Sequence, residues 1–324
     1  MATIYDVAKA AGVSPATVSR VFNGVAVSAD KVAAVRAAAE RLAFTPNRAA
    51  RSLRTLRTEV IALVIPDIEN PYFTEVARGV EDVAQDAGFS VVLCNSDARL
   101  DKEATYLQIA VSDRMAGVLI AGASADSDVT SVLEAGHSVV AIDRLLAADV
   151  DAVTVANRDA GHLATEDLIR AGFRRIACVT GPAEVETARE RARGWREALR
   201  DAGLDAPDEL LLHSTFRVDG GREAAAGLLA RAEPPDAIVA GNNLLGVGVM
   251  QQLAESGRTP SSFGVAVVGS LPFTTLAPSA VSVVQLPARH MGATAARMLL
   301  ERIGGDTQPP RTVVLRGELQ PAVR

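Results

Sequence analysis

The feature that most constrains the fold of this 324-residue chain is an alternation of short apolar runs with helical stretches from about residue 60 onward. Ten such runs occur, at residues 60–65, 90–94, 117–121, 138–142, 175–180, 210–213, 237–240, 265–268, 281–284 and 312–315. Amphipathic stretches of about 12 to 16 residues separate most of them, which is the pattern of strand–helix units. The pattern predicts an α/β body with parallel sheets covered by helices on both faces, and so many strands indicate two sheets in two subdomains.

A ligand site can be predicted from the same pattern. In open α/β sheets, ligands bind beyond the carboxyl ends of the strands. This rule selects the segments that follow the apolar runs, at residues 67–73, 95–97, 143–144, 181–191, 216, 241–243 and 270–273.

The first 57 residues have a different pattern, typical of an all-α head. Apolar residues at helical spacing predict helices over 4–11 and 15–22, and a third helix that follows Ser28. The residues that start or end these helices are glycine, proline, asparagine and serine, namely Gly12, Ser14, Pro15, Asn23, Gly24 and Ser28. We expect Ser14 and Ser28 to act as caps. Two helices joined by a tight turn predict a helix-turn-helix, with 15–22 as the recognition helix.

The recognition helix has a face that the core of the head does not need. This face consists of Pro15, Ala16, Ser19 and Arg20. Arg20 can bind the O6 and N7 atoms of guanine, and Ala16 can contact a thymine methyl group. Short donors near the helix ends can contact phosphates, namely Thr3, Tyr5, Ser14, Thr17 and Asn23. The alternatives are that the hydroxyls only cap helices and that Arg20 is a plain surface charge.

The net charge of −6 hides a basic head on an acidic body. Of the 33 basic and 39 acidic residues, nine and three respectively lie in residues 1–57, so the head carries +6 and the remainder −12. Such an asymmetry is what nucleic-acid binding by one end of a chain requires.

Several classes of protein and site are disfavoured. No secretory signal and no long apolar stretch is found, so we expect a cytoplasmic protein with no membrane partner. Cys94 and Cys178 lie in strand-like runs and are expected to be buried thiols. The four histidines are scattered, and neither a nucleophile motif nor a dinucleotide fingerprint is complete, so we predict no metal, no cofactor and no enzyme activity.

Residues 3–8 (TIYDVA) and 12–23 (GVSPATVSRVFN) closely resemble the DNA-binding head of the lac-repressor family of bacterial transcription regulators. Residues 44–53 (FTPNRAARSL) look like the hinge helix of that family. The resemblance implies that Leu53 is a wedge inserted into the minor groove. Arg48, Ala50 and Arg51 are further predicted DNA contacts of this hinge, which is too short to fold without a partner. The alternative is that Leu53 docks on the body as a linker residue.

The body resembles the periplasmic-binding-protein fold of the same family. The implied division is a helix-turn-helix head at 1–45, a hinge at 46–57 and an effector-binding and dimerisation domain at 58–324. Its N-subdomain comprises about 58–156 and 287–316, and its C-subdomain about 160–284 and 318–324. The family's pocket positions correspond to Tyr72, Phe73, Asp143, Arg191, Phe216 and Asn242. The alternatives are that Tyr72 and Phe73 pack the first helix of the body and that Asp143 pairs only with Arg144.

Two departures from the family concern the effector. Many relatives carry aspartate where this chain has Asn243, and nearly all carry an aromatic residue and aspartate after the glycine that matches Gly269, where this chain has Ser270 and Leu271. A pocket that keeps Arg191 and loses acids tolerates an anionic ligand better. We therefore expect a sugar acid, a phosphorylated sugar or another carboxylate, with a neutral sugar as the alternative.

The sequence predicts a homodimeric transcription regulator, most simply a repressor, that binds a pseudo-palindromic double-stranded DNA operator. Its operator affinity is expected to change when a small molecule binds between the subdomains. The alternatives are a solute-binding protein and an architectural DNA-binding protein without an effector.

Overall fold

The computed structural model describes residues 2–22, 26–44, 58–124, 126–258, 262–271 and 280–323. It contains two compact units, Met1–Thr58 and Glu59–Arg324. The predicted DNA contacts Asn23, Arg48, Ala50, Arg51 and Leu53 lie outside the described residues, as does the predicted hinge helix.

Over residues 2–22 and 26–44, the head forms three helices, α1 (Ile4–Ala11), α2 (Pro15–Phe22) and α3 (Ala29–Arg41). The first two have the predicted bounds. Their small core consists of Val7, Ala8, Val18, Val35, Ala38 and Ala39. Gly12 has a φ of 65°, the left-handed conformation that ends a helix, so the turn between α1 and α2 is formed as expected.

Of the two predicted serine caps, one is formed and one is not. Ser14 Oγ accepts a hydrogen bond from the Thr17 backbone N–H at 3.2 Å. Ser28 stands at the N-cap position of α3, but its side chain makes no capping hydrogen bond, so that prediction was wrong. Ser28 is exposed, and water can satisfy the first N–H groups of α3 instead.

The body contains two six-stranded sheets, with strand orders β11-β5-β4-β3-β1-β2 and β12-β10-β9-β8-β6-β7. The strands are β1 (Val60–Ile65), β2 (Ser90–Asn95), β3 (Gly117–Ile120), β4 (Ser138–Ile142), β5 (Asp151–Val155), β6 (Ile176–Thr180), β7 (Leu211–His213), β8 (Ala237–Ala240), β9 (Gly264–Val268), β10 (Ser282–Gln285), β11 (Thr312–Leu315) and β12 (Glu318–Gln320). All pairs of these strands are parallel except β10 with β12. The predicted fold class is confirmed, and each of the ten apolar runs forms a strand; β5 and β12 were not predicted.

In the described part of the body, eight helices cover these sheets. They are α4 (Pro71–Asp86), α5 (Leu100–Ser112), α6 (Thr130–Glu134), α7 (Asn157–Arg170), α8 (Glu186–Asp201), α9 (Val218–Leu229), α10 (Asn243–Glu255) and α11 (Ala288–Ile303). The chain passes from the first sheet to the second between β5 and β6, returns between β10 and β11, and passes again between β11 and β12. The first sheet and its helices form one subdomain, and the second sheet and its helices form the other. The described helices include none that is both long and apolar enough to cross a membrane.

Three pairs of these helices cross closely at glycines. A Cβ atom on Gly161 of α7 would lie 2.1 Å from the backbone oxygen of Arg191, and one on Gly194 of α8 would lie 2.0 Å from that of Arg158. The pairs α4–α11 and α9–α10 repeat this arrangement, through Gly79 with Gly292 and through Gly221 with Gly248. Each helix therefore presses its backbone against the other, and only glycine leaves enough room.

Candidate functional site

A cavity lies between the two subdomains, at the carboxyl ends of their strands. It is lined by Asn70, Tyr72, Phe73, Asp143, Arg144, Thr187, Arg191, Phe216, Asn242, Asn243, Val268, Gly269 and Leu286. All six side chains that the family resemblance selected are among them. They come from five separate segments of the chain and from both subdomains, so the fold brings them together.

The wall from the first subdomain is built on Tyr72 and Asp143. Asn70 caps α4 by accepting a hydrogen bond from the Tyr72 backbone N–H at 3.0 Å, which places Tyr72 in the first turn of that helix. The Tyr72 hydroxyl donates to Asp143 Oδ1 at 3.0 Å. Burial and the neighbouring Asp143 carboxylate raise the pKa of Tyr72 well above its usual value, so this phenol stays protonated and remains a donor.

Asp143 directly follows β4 and has a φ of 65°, a left-handed conformation that non-glycine residues seldom adopt. Aspartate tolerates it better than most residues. The turn places the carboxylate against two partners: Tyr72, and Arg144, whose Nε atom lies 3.6 Å from Asp143 Oδ2. Asp143 therefore pairs with Tyr72 as well as with Arg144, and its predicted contact with an effector stays a prediction.

The wall from the second subdomain contains Arg191, whose residue is only 6% exposed. Its Nε donates to Asn157 Oδ1 at 2.9 Å and its Nη1 to the Gly241 carbonyl oxygen at 2.5 Å. Its own backbone oxygen rests against Gly161, so the glycine crossing of α7 and α8 holds this arginine in position. Burial lowers the pKa of Arg191, because the protein removes the guanidinium from water.

Phe216 and Asn242 complete that wall. A Cβ atom on Gly181 would lie 2.2 Å from the Phe216 ring, so the glycine that follows β6 makes room for the ring. Asn242 caps α10 by accepting a hydrogen bond from the Leu245 N–H at 2.8 Å. Its oxygen is therefore engaged, and its Nδ2 atom donates to the Phe216 carbonyl oxygen at 3.5 Å, so the second N–H of that amide is the group suited to donate to a ligand.

The family positions missed seven lining residues, and the strand-end rule would have found four of them. Asn70, Arg144, Thr187 and Asn243 lie in segments that the rule selected. Val268 and Gly269 immediately precede a selected segment, and Leu286 follows β10, for which no segment was selected. The selected segment 95–97 is absent from the lining: Asn95 instead accepts a hydrogen bond from the Ile68 backbone N–H.

Among the described residues of the head, the side chains that were predicted to contact DNA are exposed or partly exposed. Tyr5 is 71% exposed, Thr3, Ser14, Ala16 and Arg20 are exposed, and Pro15, Thr17 and Ser19 are partly buried. The hydroxyls are also engaged locally. Thr3 and Asp6 form a capping box, and the Ser14 and Thr17 hydroxyl oxygens lie 2.9 Å apart.

Comparison with known proteins gives the family. Residues 58–318 match the family described as periplasmic binding proteins and sugar binding domain of LacI family, and residues 3–47 match the bacterial regulatory proteins of the lacI family. The HTH-type transcriptional regulator DegA of Bacillus subtilis is 32% identical over 98% of this chain and 96% of its own length. The ribose operon repressor of Halalkalibacterium halodurans is 33% identical over 94% of this chain and 91% of its own.

A solved structure described as a complex of the transcriptional regulator CelR with cellobiose is 32% identical, with a TM-score of 0.75, and covers 99% of this chain and 98% of that one. These matches span the head and the body together. The chain therefore belongs to the lacI family of bacterial regulatory proteins: it is a DNA-binding transcription regulator whose larger domain takes a small-molecule effector.

Proposed function

We propose that this chain is a repressor that binds a pseudo-palindromic operator as a homodimer and changes its operator affinity when a metabolite binds in the cleft. The observation that carries the proposal is the convergence of both subdomains on one cavity in a chain that begins with a helix-turn-helix. A ligand held by both walls favours one arrangement of the subdomains over another. Such a difference typically shifts an equilibrium by about 1–3 kcal/mol, which is enough for allosteric control.

In this proposal the head reads DNA through α2. Arg20, exposed near the end of α2, binds a guanine in the major groove, and Ala16 contacts a neighbouring base. Pro15 and Ser19 lie on the same face of α2. The remaining proposed contacts position the head on phosphates and in the minor groove, namely Thr3, Tyr5, Ser14, Thr17, Asn23, Arg48, Ala50, Arg51 and Leu53. The proposed division of the chain is 1–45 for the head, 46–57 for the hinge and 58–324 for the body.

The homodimer is supported by exposed apolar side chains on the first subdomain. The edge strand β2 exposes Val92 and Leu93, and α5, the next helix, exposes Leu100 and Ile109, each by about two fifths. Exposed apolar side chains on an unpaired sheet edge favour association with another protein surface. A second copy of the chain places two heads on the two half-sites of a palindrome.

The effector is proposed to contact Tyr72, Phe73, Asp143, Arg191, Phe216 and Asn242. The relatives named above point to a sugar or a sugar derivative, since one is a ribose operon repressor and another is in complex with cellobiose. We propose no catalytic role and a cytoplasmic site of action, where the operator DNA is found.

The experiment that tests this function has two stages. DNA fragments selected by the purified full-length protein should share a palindrome, and the protein should protect it from nuclease. Metabolites that the products of the regulated genes act on should then relieve or strengthen that protection. Binding without sequence preference would contradict the proposal and favour an architectural protein, and effector binding with no DNA binding would favour a solute-binding protein.

Arg20→Ala sharpens the first stage. We expect a loss of about 1–3 kcal/mol in operator binding and a relaxed preference at one base pair in each half-site. An equal loss on all sequences would mean that Arg20 contacts a phosphate. Arg36→Ala is the matched control, because it removes an exposed positive charge from α3 of the same head.

A further inference from the structure

Among the described residues, three segments of the body connect the two subdomains, and the first two of them have the same local structure. Ala156, before α7, has φ −68° and ψ 74°, and Pro287, before α11, has φ −80° and ψ 57°. Both pairs of angles are close to those of an inverse γ-turn, which is common where a strand ends. In the second turn the Ala288 N–H donates to the Leu286 carbonyl oxygen at 2.9 Å. A rotation of one subdomain against the other changes the backbone angles at these turns.

The third connecting segment contacts both of the others. The Ala156 N–H donates to the Leu315 carbonyl oxygen at 2.8 Å. A Cβ atom on Gly317 would lie 2.9 Å from Val284 Cγ1 and 3.1 Å from the Gln285 carbonyl oxygen. The three segments therefore lie side by side at the junction between the subdomains, and a change at one turn is felt by its neighbours.

The two turns are held in different ways. At Pro287 the pyrrolidine ring fixes φ. Ala156 has no such ring, and there the Asn157 side chain provides the constraint, because its Nδ2 atom donates to the Val155 carbonyl oxygen at 3.1 Å. A ring constrains the backbone permanently, whereas a side-chain hydrogen bond can break and form again. The first turn is therefore the one that a ligand can release.

The same amide holds the side chain of Arg191. Arg191 Nε donates to Asn157 Oδ1 at 2.9 Å, and because a guanidinium can only donate, the amide turns its nitrogen towards Val155. Asn157 is buried, so water does not readily replace either bond. One turn further along α7, Gly161 lies against the backbone of Arg191. The helix that begins at the first turn therefore holds Arg191 by its side chain and by its backbone.

We propose that Asn157 is a positioning residue that holds the first of these turns and frees it when Arg191 moves. A ligand that draws the Arg191 guanidinium towards the cavity breaks its bond to Asn157 Oδ1. The amide then rotates, the Val155 oxygen loses its donor, and the backbone at Ala156 changes its angles. The proposal rests on the proposed function of the cleft, and it adds the residue through which an occupied cleft changes the angle between the subdomains and, with it, operator affinity.

The test measures the distance between the two subdomains in the full-length protein without DNA or ligand. Spin labels are attached at Glu134→Cys, in the first subdomain, and at Asp205→Cys, in the second, because both wild-type residues are exposed. The native Cys94 and Cys178 are buried and stay unlabelled. Mixing labelled protein with an excess of unlabelled protein restricts the measurement to pairs within one chain. Pulsed electron paramagnetic resonance then gives the populations of closed and open subdomain arrangements.

The variants are Asn157→Leu and Asn157→Asp. Leucine has a similar size and makes neither bond, whereas aspartate still accepts from Arg191 but cannot donate to the Val155 oxygen. We expect both variants to raise the ratio of open to closed populations by about threefold or more, as the loss of one hydrogen bond does. Asn157→Asp gives Arg191 a charged acceptor, so it should unfold at a higher urea concentration than Asn157→Leu. The aspartate variant therefore decides the matter if the leucine variant does not fold.

Two further variants show whether Asn157 acts through Arg191. Arg191→Met should raise the open population by itself, and adding Asn157→Leu should cause no further change, because the two residues form one chain of hydrogen bonds. The control Thr165→Val removes a buried hydroxyl that donates to the Gly161 carbonyl oxygen at 2.7 Å on the same helix. It should keep the wild-type distances.

Wild-type distances in Asn157→Asp would overturn the proposal, since Asn157 would then only stabilise the packing of α7 on α8. An equal effect of Thr165→Val, or additive effects of Arg191→Met and Asn157→Leu, would also overturn it. On an operator fragment that the wild type selects, both Asn157 variants should change the affinity in the same direction by about threefold or more, and unchanged affinity in both would contradict the proposal. If the wild type selects no DNA sequence, the proposed repressor function fails, while the distances still decide the role of Asn157.

Discussion

Single residues in this protein owe their properties to where the fold places them. Asp143 adopts a left-handed backbone conformation at the edge of the cavity, and its N–H donates to the Val153 oxygen at 2.9 Å. The bond to β5 holds the turn despite its conformational cost of about 1 kcal/mol or more. The same turn directs the carboxylate to Tyr72. Strain in the backbone thus sets the geometry of the cleft.

Cys178, in the middle of β6, should be chemically inert in the folded protein. Burial raises the pKa of its thiol to about 12, so the reactive thiolate is scarce at pH 8. We expect iodoacetamide to label Cys178 at pH 8 only as fast as the protein unfolds, measured by mass spectrometry of its peptide. Unfolding in urea is the control and should expose the thiol at once.

The raised pKa of Cys178 also makes the folded protein less stable at high pH. Above about pH 8.5 the unfolded chain loses this proton while the native protein keeps it, so the thiol disfavours folding increasingly as the pH rises towards 12. For the labelling experiment, rapid modification of Cys178 by iodoacetamide under native conditions would contradict its burial.

At the scale of elements, the glycine crossings decide how the helices pack. At each of the three crossings the backbone of one helix lies against the other helix, and a single methyl group would overlap a carbonyl oxygen. In the α7–α8 pair, this contact also places Arg191. We therefore expect packing and ligand binding to respond together when this crossing is disturbed.

Gly194→Ala and Gly227→Ala form a matched pair that tests the crossing. A Cβ on Gly194 would lie 2.0 Å from the Arg158 oxygen, whereas one on Gly227, inside α9, meets nothing within 4 Å. We expect Gly194→Ala to lower the free energy of unfolding by about 2 kcal/mol or more. Gly227→Ala should raise it by about 0.5–1 kcal/mol, because alanine favours the helix. Urea denaturation measures both, and equal effects would refute the role of the crossing.

The link between α11 and β5 can be tested at Asp151. Its carboxylate binds Arg302 Nε at 2.7 Å, Arg302 Nη2 at 2.9 Å and the Arg311 backbone N–H at 2.8 Å. Burial alone would raise the pKa of Asp151, but these contacts outweigh it and lower the pKa. We expect Asp151→Ala to cost about 3 kcal/mol at pH 7 by urea denaturation, because it leaves Arg302 without its carboxylate.

Because the folded-state pKa of Asp151 is depressed, its contribution is complete above the unfolded pKa of about 3.9 and is lost as the pH falls through the folded value. The difference between Asp151→Ala and the wild type should therefore shrink in acid. Asp208→Ala removes a 93%-exposed carboxylate paired with Arg196 and should change stability little. A similar loss in the free energy of unfolding in both variants would argue against stabilisation by the contacts of Asp151 with Arg302 and Arg311.

At the scale of the whole body, an ion-pair cluster spans the two subdomains beside the cavity. Arg217, which follows Phe216 in the second subdomain, pairs with Glu69 and lies 3.4 Å from Asp67, both from the loop after β1 in the first. Phe216 lines the cavity, and the next residue, Arg217, forms ion pairs with the first subdomain. The cluster therefore favours a closed cleft.

Arg217→Ala should shift the cleft towards an open state. Because the arginine is about half exposed, we expect a modest effect, up to about 1 kcal/mol or roughly fivefold in effector affinity. Small-angle X-ray scattering should show a larger radius of gyration for the ligand-free variant. Added salt should expand the wild type and leave the variant unchanged. Arg170→Ala, whose partner Glu166 lies on the same helix, is the control, and an identical scattering curve for Arg217→Ala would contradict the prediction.

The sequence predicted most strands of the fold, but in the cleft it predicted residues and not their contacts. The ten apolar runs were found because continuous burial leaves a local pattern. β5 was missed because it starts with Asp151, whose burial depends on Arg302, 151 residues away. In the cleft, Arg191 was predicted, but its support by Asn157 and Gly241 was not, because those contacts span 34 and 50 residues.

By itself the sequence determined the strand–helix alternation, the first two helices of the head and the family, since each depends on neighbouring residues or on a continuous motif. Only the tertiary structure decided that Arg144, Arg191 and Asp143 line one cavity, and that Arg217 reaches the other subdomain. The physical reason is that charge balance and burial depend on distances between residues far apart in the chain, and these distances exist only after the sheets and helices have packed.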